Sequence, residues 1–417
     1  MRIVFLGPLP PIRGGIAAHT EGAIEALRGC GHEVLAISYD RLYPRFVAGR
    51  RPGSGSQPFS LGADRTVDCL SPRTWLRAAA TARAFAPDVV IAQYWTPIAA
   101  AAIRVVLSRA GTAKRVVVCH NVLPHERIPG GLGVARWLLR RCDGVIFHSR
   151  HVMDRAAVLG CRSPSAVARV PLLIGGGEAE GRPLPELMEA WQGGARLFVC
   201  AGHVRKYKGL GILAAAWRRA APAGDALLVV AGEQFGARCD LRALRRLGAQ
   251  IRVIPRYLDD GELTWLLRHA EAVFLPYISA SQSGLLPAAM RLACHVVVSN
   301  AGGLAEDSSV GRAANLTTVP AGDIGALAAS IGQLSMRPVS RVESHPDGAL
   351  RHAAAPISAR ERRESWASFV AALESVLATA VRPRASNSPG LGSSESGVGV
   401  PGREPSSFAW YDARRAE

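Results

Sequence analysis

The chain has 417 residues, of which 48% are hydrophobic and 20% are charged, and this composition excludes a wholly disordered protein. It contains no apolar stretch of the roughly 18–20 residues that a membrane-spanning helix needs, and its N-terminus lacks the basic, apolar and small segments of a secretory signal. The net charge of +17 favours anionic partners, such as a phosphate-bearing ligand, an anionic membrane surface or a nucleic acid.

Eight cysteines are scattered singly along the chain, and none forms a CxxC pair. Several lie within apolar runs, as Cys119 does in VVVCHN and Cys200 in LFVCAG. This pattern is typical of reduced thiols that pack as small hydrophobic residues, and it argues against a disulfide framework or a zinc site. We therefore expect a cytoplasmic protein.

Short runs of β-branched residues alternate with longer amphipathic stretches from the N-terminus onward. A first set of predicted strands covers 2–7, 33–38, 88–93, 115–120 and 144–149, and a second covers 196–202, 226–232, 251–255, 272–277 and 296–300. Predicted helices lie between them at 16–29, 73–85, 97–109, 208–220, 260–269 and 322–334. Continuous apolar strands that alternate with helices indicate parallel sheets covered on both faces, so the sequence predicts two doubly wound α/β domains.

Shifts in composition place the domain boundaries. The stretch IGGGEAEGRPLPE is rich in Gly, Pro and acidic residues, which is typical of a linker between domains. The sequence predicts an N-terminal domain over 1–175, a linker over 176–194, a second domain over 195–358, a helix over 359–381 that crosses back to the first domain, and a disordered tail over 382–417.

Two segments that follow strands of the first domain carry polar residues. Gly14 and Gly15 open the first helix, where paired glycines let backbone N–H groups approach a ligand, although a plain strand-to-helix turn reads the same way. His19 lies one turn into that helix, and if it has no role in a site it is expected on the helix surface. His120 ends the fourth strand within HNVLPHE. A metal site needs converging ligands, and the sequence has no HExxH motif and no second cluster, so we expect no metal.

The first strand of the second domain is followed by a basic loop. Only three lysines occur in the chain, at 114, 206 and 208, and two of them fall in AGHVRKYKGLG. Arg205 and Lys208 beside the N-terminus of the next helix form a suitable diphosphate clamp, and the alternative is a solvated basic loop.

A second polar loop follows the strand at 272–277. It contains Gln282, Ser283 and Gly284 and runs into a helix, so free N–H donors would face a sugar or a phosphate. Paired glycines and an acidic turn come after the next strand, in SNAGGLAED.

Together these segments resemble the GT-B glycosyltransferases of family 4, the retaining enzymes that use nucleotide sugars. The resemblance covers roughly residues 1–335 and rests on GGIAAHTEGAIEALRGCGHEV, HNVLPHE, VRKYKGL, PYISASQSGLLPAAM and VVVSNAGGLAED in that order. It implies two Rossmann-like domains that face each other across a cleft.

The resemblance also implies a role for each matching position. Gly14 and Gly15 would face the donor phosphate or the reacting sugar, His120 would lie near the transferred sugar, Arg205 and Lys208 would hold the diphosphate, and Gln282, Ser283 and Gly284 would approach the sugar and phosphate. The donor would be a nucleoside-diphosphate sugar, and no metal cofactor would be required because fixed cations and helix N-termini stabilise the leaving group.

The chain departs from the family pattern at several positions. Much of the family carries two Glu eight positions apart, where this chain has Ala280 and Ala288, and a subgroup with an S/T-Q-S-G turn also lacks the pair. His203 replaces a common Arg, and His295 replaces a common Pro. These changes leave the donor sugar open.

Three other functions stay open on the sequence. The alanines motivate a catalytically degenerate protein that binds a nucleotide or glycan. Another sugar-nucleotide reaction, such as epimerisation, would need carboxylates that are not found. The charge suggests a nucleic-acid protein, but aromatic residues make up only 6% of the chain and no recognition motif occurs, so we expect no nucleic-acid partner.

The acceptor and the location are inferred from the first domain. A long Gly/Ser/Pro loop at 48–63 lies in the half where the resembling enzymes bind acceptors, which are typically lipid-linked or cell-surface glycans. Four arginines, at 127, 136, 140 and 141, are interleaved with apolar residues that include Leu132 and Trp137. Such a helix can lie on the anionic inner face of the plasma membrane, and the alternative is a core-packed helix with a solvated Arg face.

Overall fold

The computed structural model describes nine stretches of the chain. They are residues 1–43, 60–122, 129–174, 181–222, 224–234, 238–293, 295–310, 315–337 and 355–380. The sequence-based interpretations of His125, Glu126, Arg127 and the tail at 382–417 lie outside these residues, as does most of the loop at 48–63.

The first domain is built on a seven-stranded sheet in which all strands are parallel, in the order β3-β2-β1-β4-β5-β6-β7. Its strands are β1 (Arg2–Leu6), β2 (Glu33–Arg41), β3 (Asp64–Asp68), β4 (Val89–Tyr94), β5 (Lys114–Cys119), β6 (Gly144–Phe147) and β7 (Ser165–Val167). The helices between them are α1 (Gly15–Gly29), α2 (Pro72–Ala84), α3 (Pro97–Arg109), α4 (Gly131–Leu139) and α5 (Arg150–Val158).

The second domain is built on a six-stranded parallel sheet in the order β10-β9-β8-β11-β12-β13. Its strands are β8 (Arg196–Ala201), β9 (Ala226–Ala231), β10 (Ile251–Ile254), β11 (Ala270–Leu275), β12 (Val296–Ser299) and β13 (Leu316–Val319). The helices are α6 (Pro185–Gln192), α7 (Leu210–Ala220), α8 (Arg238–Arg245), α9 (Asp260–Arg268), α10 (Leu286–Leu292), α11 (Gly303–Val310) and α12 (Ile324–Met336).

The central strands are continuous apolar runs, as the sequence indicates. Every residue of β4, β8 and β9 is buried, because helices cover both faces of each sheet. All ten predicted strands and all six predicted helices are present within a few residues. The structure thus confirms two doubly wound parallel-sheet domains.

Three strands were not predicted: β3, β7 and β13. Each lies at an edge of its sheet, and each is at most five residues long. A short edge strand keeps polar residues such as Asp64 and Ser165, so it lacks the continuous apolar run by which the central strands were recognised.

The predicted linker over 176–194 requires a correction in its C-terminal half. Residues 185–192 form helix α6, and Leu184 and Leu187 are fully buried in the core of the second domain. Pro185 at the first turn is compatible with a helix start, so the Pro that indicated a linker instead begins an element of the second domain.

A C-terminal segment of two helices, α13 (Ala359–Ser365) and α14 (Ala367–Ala380), packs against the first domain. Trp366 lies so close to α1 that a Cβ on Gly22 would be 2.3 Å from its ring. The Lys114 ammonium donates to the carbonyl of Ala380 at 3.2 Å. Arg291 of the second domain pairs with Glu361 at 2.8 Å, so the segment contacts both domains.

Replacing Trp366 by Ala should lower the free energy of unfolding by about 3–5 kcal/mol, because it opens a large cavity between α1 and α14. Urea denaturation followed by circular dichroism would measure the loss. Trp137→Ala is the matched control, since Trp137 is exposed on the surface and its removal should change stability by no more than about 0.5 kcal/mol. Equal losses in the two variants would contradict this packing.

Candidate active site

The polar residues predicted from the sequence converge where the carboxyl ends of the two sheets meet. A Cβ on Gly14 would lie 3.1 Å from the His203 ring of the second domain. Gly15 and Gly284 belong to different domains, yet both approach the same side chain, that of Leu173. Gly14 also has a φ of +120°, a conformation that a side chain rarely adopts. Glycine is therefore required there for close approach of the two domains.

A hydrogen-bonded chain of side chains crosses from one domain to the other. Gln282 Nε2 lies 3.0 Å from His120 Nδ1, and His120 Nε2 contacts Gln93 Oε1. Gln93 Nε2 then lies 3.0 Å from His19 Nδ1. Gln93 is the penultimate residue of β4, His120 follows β5 and His19 belongs to α1, so adjacent elements of the first domain present this chain to Gln282.

His19 is not on the helix surface as expected but is buried within a group of aromatic rings. Its ring centroid lies 5.0 Å from that of His120 and 4.7 Å from that of His148. Trp366 and Phe369 of the C-terminal segment cover its other side. The expectation failed because it considered α1 alone, whereas α14 packs over the helix face that carries His19.

Burial keeps these three imidazoles neutral. Desolvation lowers the pKa of His19 and of His120 well below its usual range, and mutual repulsion among the rings adds to this effect. The pKa of His148 is lowered to about 4, chiefly by burial. At neutral pH each ring therefore offers one N–H donor and one lone pair.

The basic loop after β8 has two different parts. Lys208 is buried, and its ammonium donates to the carbonyl of Ala201 at 3.0 Å, directly below Gly202. It also lies 5.2 Å above the centre of the Tyr277 ring. Lys208 thus holds a fixed charge at the end of β8, and because an ammonium has three donors, this hydrogen bond leaves capacity for a phosphate oxygen.

Arg205 lies close enough to Tyr43 of the first domain to affect its titration. Burial raises the pKa of Tyr43, while the hydrogen bond from Trp95 and the charge of Arg205 lower it to a smaller extent. Trp95 donates from its indole nitrogen to the Tyr43 hydroxyl at 2.7 Å and packs edge-to-face on Tyr39. The site therefore joins a cation of the second domain with flat rings of the first.

The residues of the turn at 281–284 make different kinds of contact. Ser283 is buried, and its hydroxyl accepts a hydrogen bond from the backbone N–H of Leu285 at 3.3 Å, so it shapes the approach to α10. Gln282 Oε1 is also buried and has no hydrogen-bond partner among the residues that the structure describes. A buried oxygen of this kind is available to a donor on a ligand.

Ala280 and Ala288 occupy the positions where much of the resembling family has glutamates, and both are buried in the second domain. The carbonyl of Ala280 accepts from the N–H of Gly303 at 3.0 Å. The apolar side chains pack against the domain core, so contacts to a donor sugar must come from other residues.

Two contacts between the domains were not predicted. Ser149 donates from its hydroxyl to the carbonyl of Ser281 at 3.0 Å. The Glu306 carboxylate accepts from the backbone N–H groups of Arg150 and His151, which begin α5. The acidic turn after Gly302 and Gly303 was a signal for Glu306, but its partner lies about 150 positions away in the chain.

The comparisons with known proteins agree with this geometry. The profile described as "Glycosyltransferase Family 4" matches residues 13–171, and the profile described as "Glycosyl transferases group 1" matches residues 195–336. No curated protein matches the chain.

Solved structures show the same fold over nearly the whole chain. The Anabaena protein HepE in complex with UDP and glucose matches with a TM-score of 0.63 and 16% identity, covering 91% of this chain and 99% of its own. A sucrose-phosphate synthase from Thermosynechococcus elongatus matches with a TM-score of 0.59 and 16% identity, covering 91% and 98%. A trehalose-6-phosphate protein from E. coli bound with UDP-2-fluoro glucose matches with a TM-score of 0.52 and 13% identity, covering 91% and 96%.

The half-buried position of His203 should make the stability of the fold depend on pH. Burial, aided by the nearby charges of Lys208 and Arg205, lowers the pKa of His203 to about 4, against about 6.5 when unfolded. Between these values the unfolded chain binds a proton that the folded chain does not, so stability should fall as pH decreases through this window. Between pH 4 and 6.5, unfolding of His203→Asn should take up about one proton fewer than unfolding of wild type does.

Chemical denaturation at a series of pH values gives the slope of the unfolding free energy against pH. Arg205→Gln is the informative control, because it keeps the imidazole and removes one of the charges that lower its pKa. Its stability loss should still begin near pH 6.5, which the unfolded chain determines, but it should end at a higher pH than in wild type, because the folded pKa of His203 is raised. A slope in His203→Asn equal to that of wild type would contradict the assignment.

Proposed function

Because the chain belongs to the GT-B glycosyltransferases, with a family 4 domain followed by a group 1 domain, we propose that it is a retaining, hexosyltransferase-type enzyme. It transfers a sugar from a nucleoside-diphosphate sugar to a glycan or lipid-linked glycan acceptor in cell-surface polysaccharide synthesis. The observation that carries this proposal is the hydrogen bond between Gln282 and His120. It joins the two domains at the point where the sugar would be transferred.

The second domain supplies the positive charge for the donor diphosphate. Arg205 and Lys208 lie on one loop, and α7 begins two residues after Lys208 with its N–H groups directed toward the same region. Gly14 closes the other side of the cleft against His203. Fixed cations and backbone donors stabilise the negative charge that develops on the leaving diphosphate, so this step requires no metal cofactor.

The sugar lies between His120 and Gln282. The Gln282 amide holds His120 through its nitrogen, and its buried oxygen is directed to a donor such as a sugar hydroxyl. His120 is neutral, so it orients Gln282 through a hydrogen bond without placing a second positive charge beside the developing oxocarbenium ion. These contacts take the place of those that Ala280 and Ala288 cannot make.

In the proposed mechanism the configuration is retained without a covalent intermediate on the enzyme. The described hydrogen-bond partners of His120 are the carboxamides of Gln93 and Gln282, and neither can act as the carboxylate nucleophile of a two-step mechanism. The proposal is that the acceptor attacks on the face from which the diphosphate leaves, and that the departing phosphate accepts its proton. Closure of the cleft excludes water and limits hydrolysis.

The acceptor binds on the side of the first domain. Tyr43 is partly exposed and has a flat apolar face that suits a sugar ring, Trp95 holds its hydroxyl from the buried side, and Arg205 is close enough to affect its pKa. Among the neighbours of similar fold, one structure contains UDP-2-fluoro glucose and one from Burkholderia xenovorans contains glucose-6-phosphate. UDP-hexoses are accordingly the first donors to test.

Calorimetric titration of UDP, GDP and ADP tests the donor site. We expect one nucleotide to bind wild type and to bind Arg205→Ala/Lys208→Ala at least about 100-fold more weakly, because two charged hydrogen-bond donors are removed. Lys206→Ala is the matched control, since Lys206 belongs to the same turn but is exposed. The donor site is wrong if wild type binds none of the three or if the double variant binds as wild type does.

The same wild-type protein can be used to determine the stereochemistry of sugar transfer. Proton NMR of the product formed from an α-linked UDP-hexose should show the α anomer first. A β product would overturn the retaining mechanism while leaving the donor site in place.

Helix α4 supports peripheral contact with the membrane. Its inner face, with Ala135 and Leu138, is buried, as the core-packed alternative requires. Its outer face nevertheless exposes Leu132 and Trp137, at 51% and 42% of their surface, alongside exposed arginines at 136, 140 and 141. In the part of the chain that the structure describes, no helix combines the length and apolar character needed to cross a bilayer. An amphipathic surface with arginines matches an anionic lipid surface.

Co-sedimentation with vesicles tests this surface. Wild type should bind phosphatidylglycerol vesicles and not phosphatidylcholine vesicles, and Leu132→Ser/Trp137→Ser should bind at least about tenfold more weakly because apolar insertion is lost. Met336→Ser, which changes an exposed apolar residue of the second domain, should bind as wild type does. Binding that is equal for both lipids, or unchanged in the double variant, would exclude α4 as the membrane surface.

A further inference from the structure

A series of neutral hydrogen-bonding groups leads from the core of the first domain to the cleft. It starts at His148, whose Nδ1 lies 2.8 Å from the carbonyl oxygen of Ala168. Because a carbonyl oxygen can only accept a hydrogen bond, Nδ1 carries the proton of the neutral ring and Nε2 carries its lone pair. This Nε2 is buried and has no hydrogen-bond partner among the described residues, so it can accept one further hydrogen bond.

His19 offers the donor that this lone pair lacks. Its Nδ1 accepts from the Nε2 amide of Gln93 at 3.0 Å, so the proton of the neutral His19 ring is on Nε2. That Nε2 is also buried and has no partner in the part of the chain that the structure describes. One nitrogen of the His19 ring lies within 4.8 Å of one of the His148 ring, a separation that a single buried water spans with two hydrogen bonds. The two rings therefore provide a complementary donor and acceptor.

Two carboxamides carry the same direction to the cleft. Gln93 presents its nitrogen to His19 and its oxygen to His120 Nε2, so the proton of His120 is on Nε2. His120 Nδ1 then carries the lone pair and accepts from Gln282 Nε2 at 3.0 Å. This leaves Oε1 as the end of the Gln282 carboxamide that is buried without a partner among the described residues. The residues that form this imidazole–carboxamide chain, which ends at Gln282, are His148, His19, Gln93 and His120.

We propose that the imidazole–carboxamide chain positions Gln282 with Oε1 toward the donor sugar, so that the site selects a sugar that has a hydroxyl group at this point. The Ala168 carbonyl fixes the direction at the far end, because it cannot donate. Each neutral imidazole or carboxamide passes the direction on, since it offers one donor end and one acceptor end. Rotation of the Gln282 carboxamide would place Oε1 against the lone pair of His120, where two acceptors repel.

The direction of these hydrogen bonds has a consequence for the choice of donor sugar. A sugar hydroxyl can donate to Gln282 Oε1, whereas a sugar with hydrogen at that carbon leaves Oε1 buried and unpaired. A site built to hydrogen-bond a hydroxyl rejects an analogue without it much more strongly than an apolar pocket does. The identity of the ligand rests on the proposed function, but the direction of the hydrogen bonds is a property of the protein alone.

Nitrogen NMR of the full-length protein labelled with ¹⁵N-histidine tests the direction without a ligand. At neutral pH we expect the proton on Nε2 in His19 and His120 and on Nδ1 in His148, with each ring assigned through its backbone signals. A His120 proton that lies on Nδ1, or that exchanges between the two nitrogens, would overturn the proposal, because Gln282 could then present its nitrogen to the cleft. Failure of every nucleotide to bind would contradict the donor site but would not change this measurement.

Release of UDP from UDP-glucose and from its 2-, 3-, 4- and 6-deoxy analogues tests the selection of a hydroxyl. In wild type, one analogue should have a kcat/KM about 10–100-fold below that of UDP-glucose, because Gln282 Oε1 is left without a donor. Gln93→Leu breaks the chain and should narrow this difference to about threefold or less, while it binds UDP within about twofold of wild type. A merely structural defect would weaken UDP binding and slow every substrate together, so this split identifies a positioning role.

Gln250→Leu is the matched control, because Gln250 carries the same side chain in the second domain and donates to the Pro222 carbonyl at 3.4 Å. It should discriminate among the analogues as wild type does. Equal kcat/KM for all analogues in wild type, or unchanged discrimination in Gln93→Leu, would overturn the selection of a hydroxyl. If circular dichroism shows that Gln93→Leu is unfolded, His19→Phe, which removes the same link, takes its place. If UDP-glucose is not turned over, the proposed function fails for this donor, and the histidine protons of wild type alone decide the proposal.

Discussion

A parallel strand that is covered on both faces can present polar groups only beyond its ends. In both sheets every strand runs in the same direction, so all the polar groups that follow strands gather at one edge. Gln93 lies near the end of β4, His120 and His148 come directly after the neighbouring strands β5 and β6, and Gln282 lies in the loop after β11 of the other sheet. The cleft is polar because these two edges face each other, while the sheets themselves supply only apolar packing.

The sequence was sufficient for features that local pattern determines. Buried strands are continuous apolar runs, and the loops that follow such runs contain Gly14, His120 and Gln282. The sequence did not allow contacts between residues that are distant in the chain to be predicted. The burial of His19 depends on Trp366, and Glu306 binds the start of α5 from the other domain. The edge strands and α6 were missed because Pro, Gly and short polar runs occur in linkers and in elements alike.

The charged groups and the neutral hydrogen-bonding groups of the site lie on different domains. Positive charge lies on the second domain, on Arg205 and on Lys208, where a diphosphate would develop negative charge. The first domain contributes imidazoles that burial keeps neutral and carboxamides that carry no charge. A low dielectric strengthens the interaction of the fixed cations with a leaving group, and neutral neighbours do not oppose it. This arrangement suits a reaction in which charge moves toward the second domain.

The C-terminal segment links this chemistry to the stability of the fold. Trp366 packs against Gly22, and Phe369 packs beside it, so that both rings cover His19 from the side opposite to the cleft. The same segment holds the second domain through Arg291 and Glu361. The imidazole group is therefore enclosed by residues from both ends of the described chain. Because His19 reaches Gln282 through Gln93 and His120, a shift of α14 would alter the position of the residues that contact the sugar.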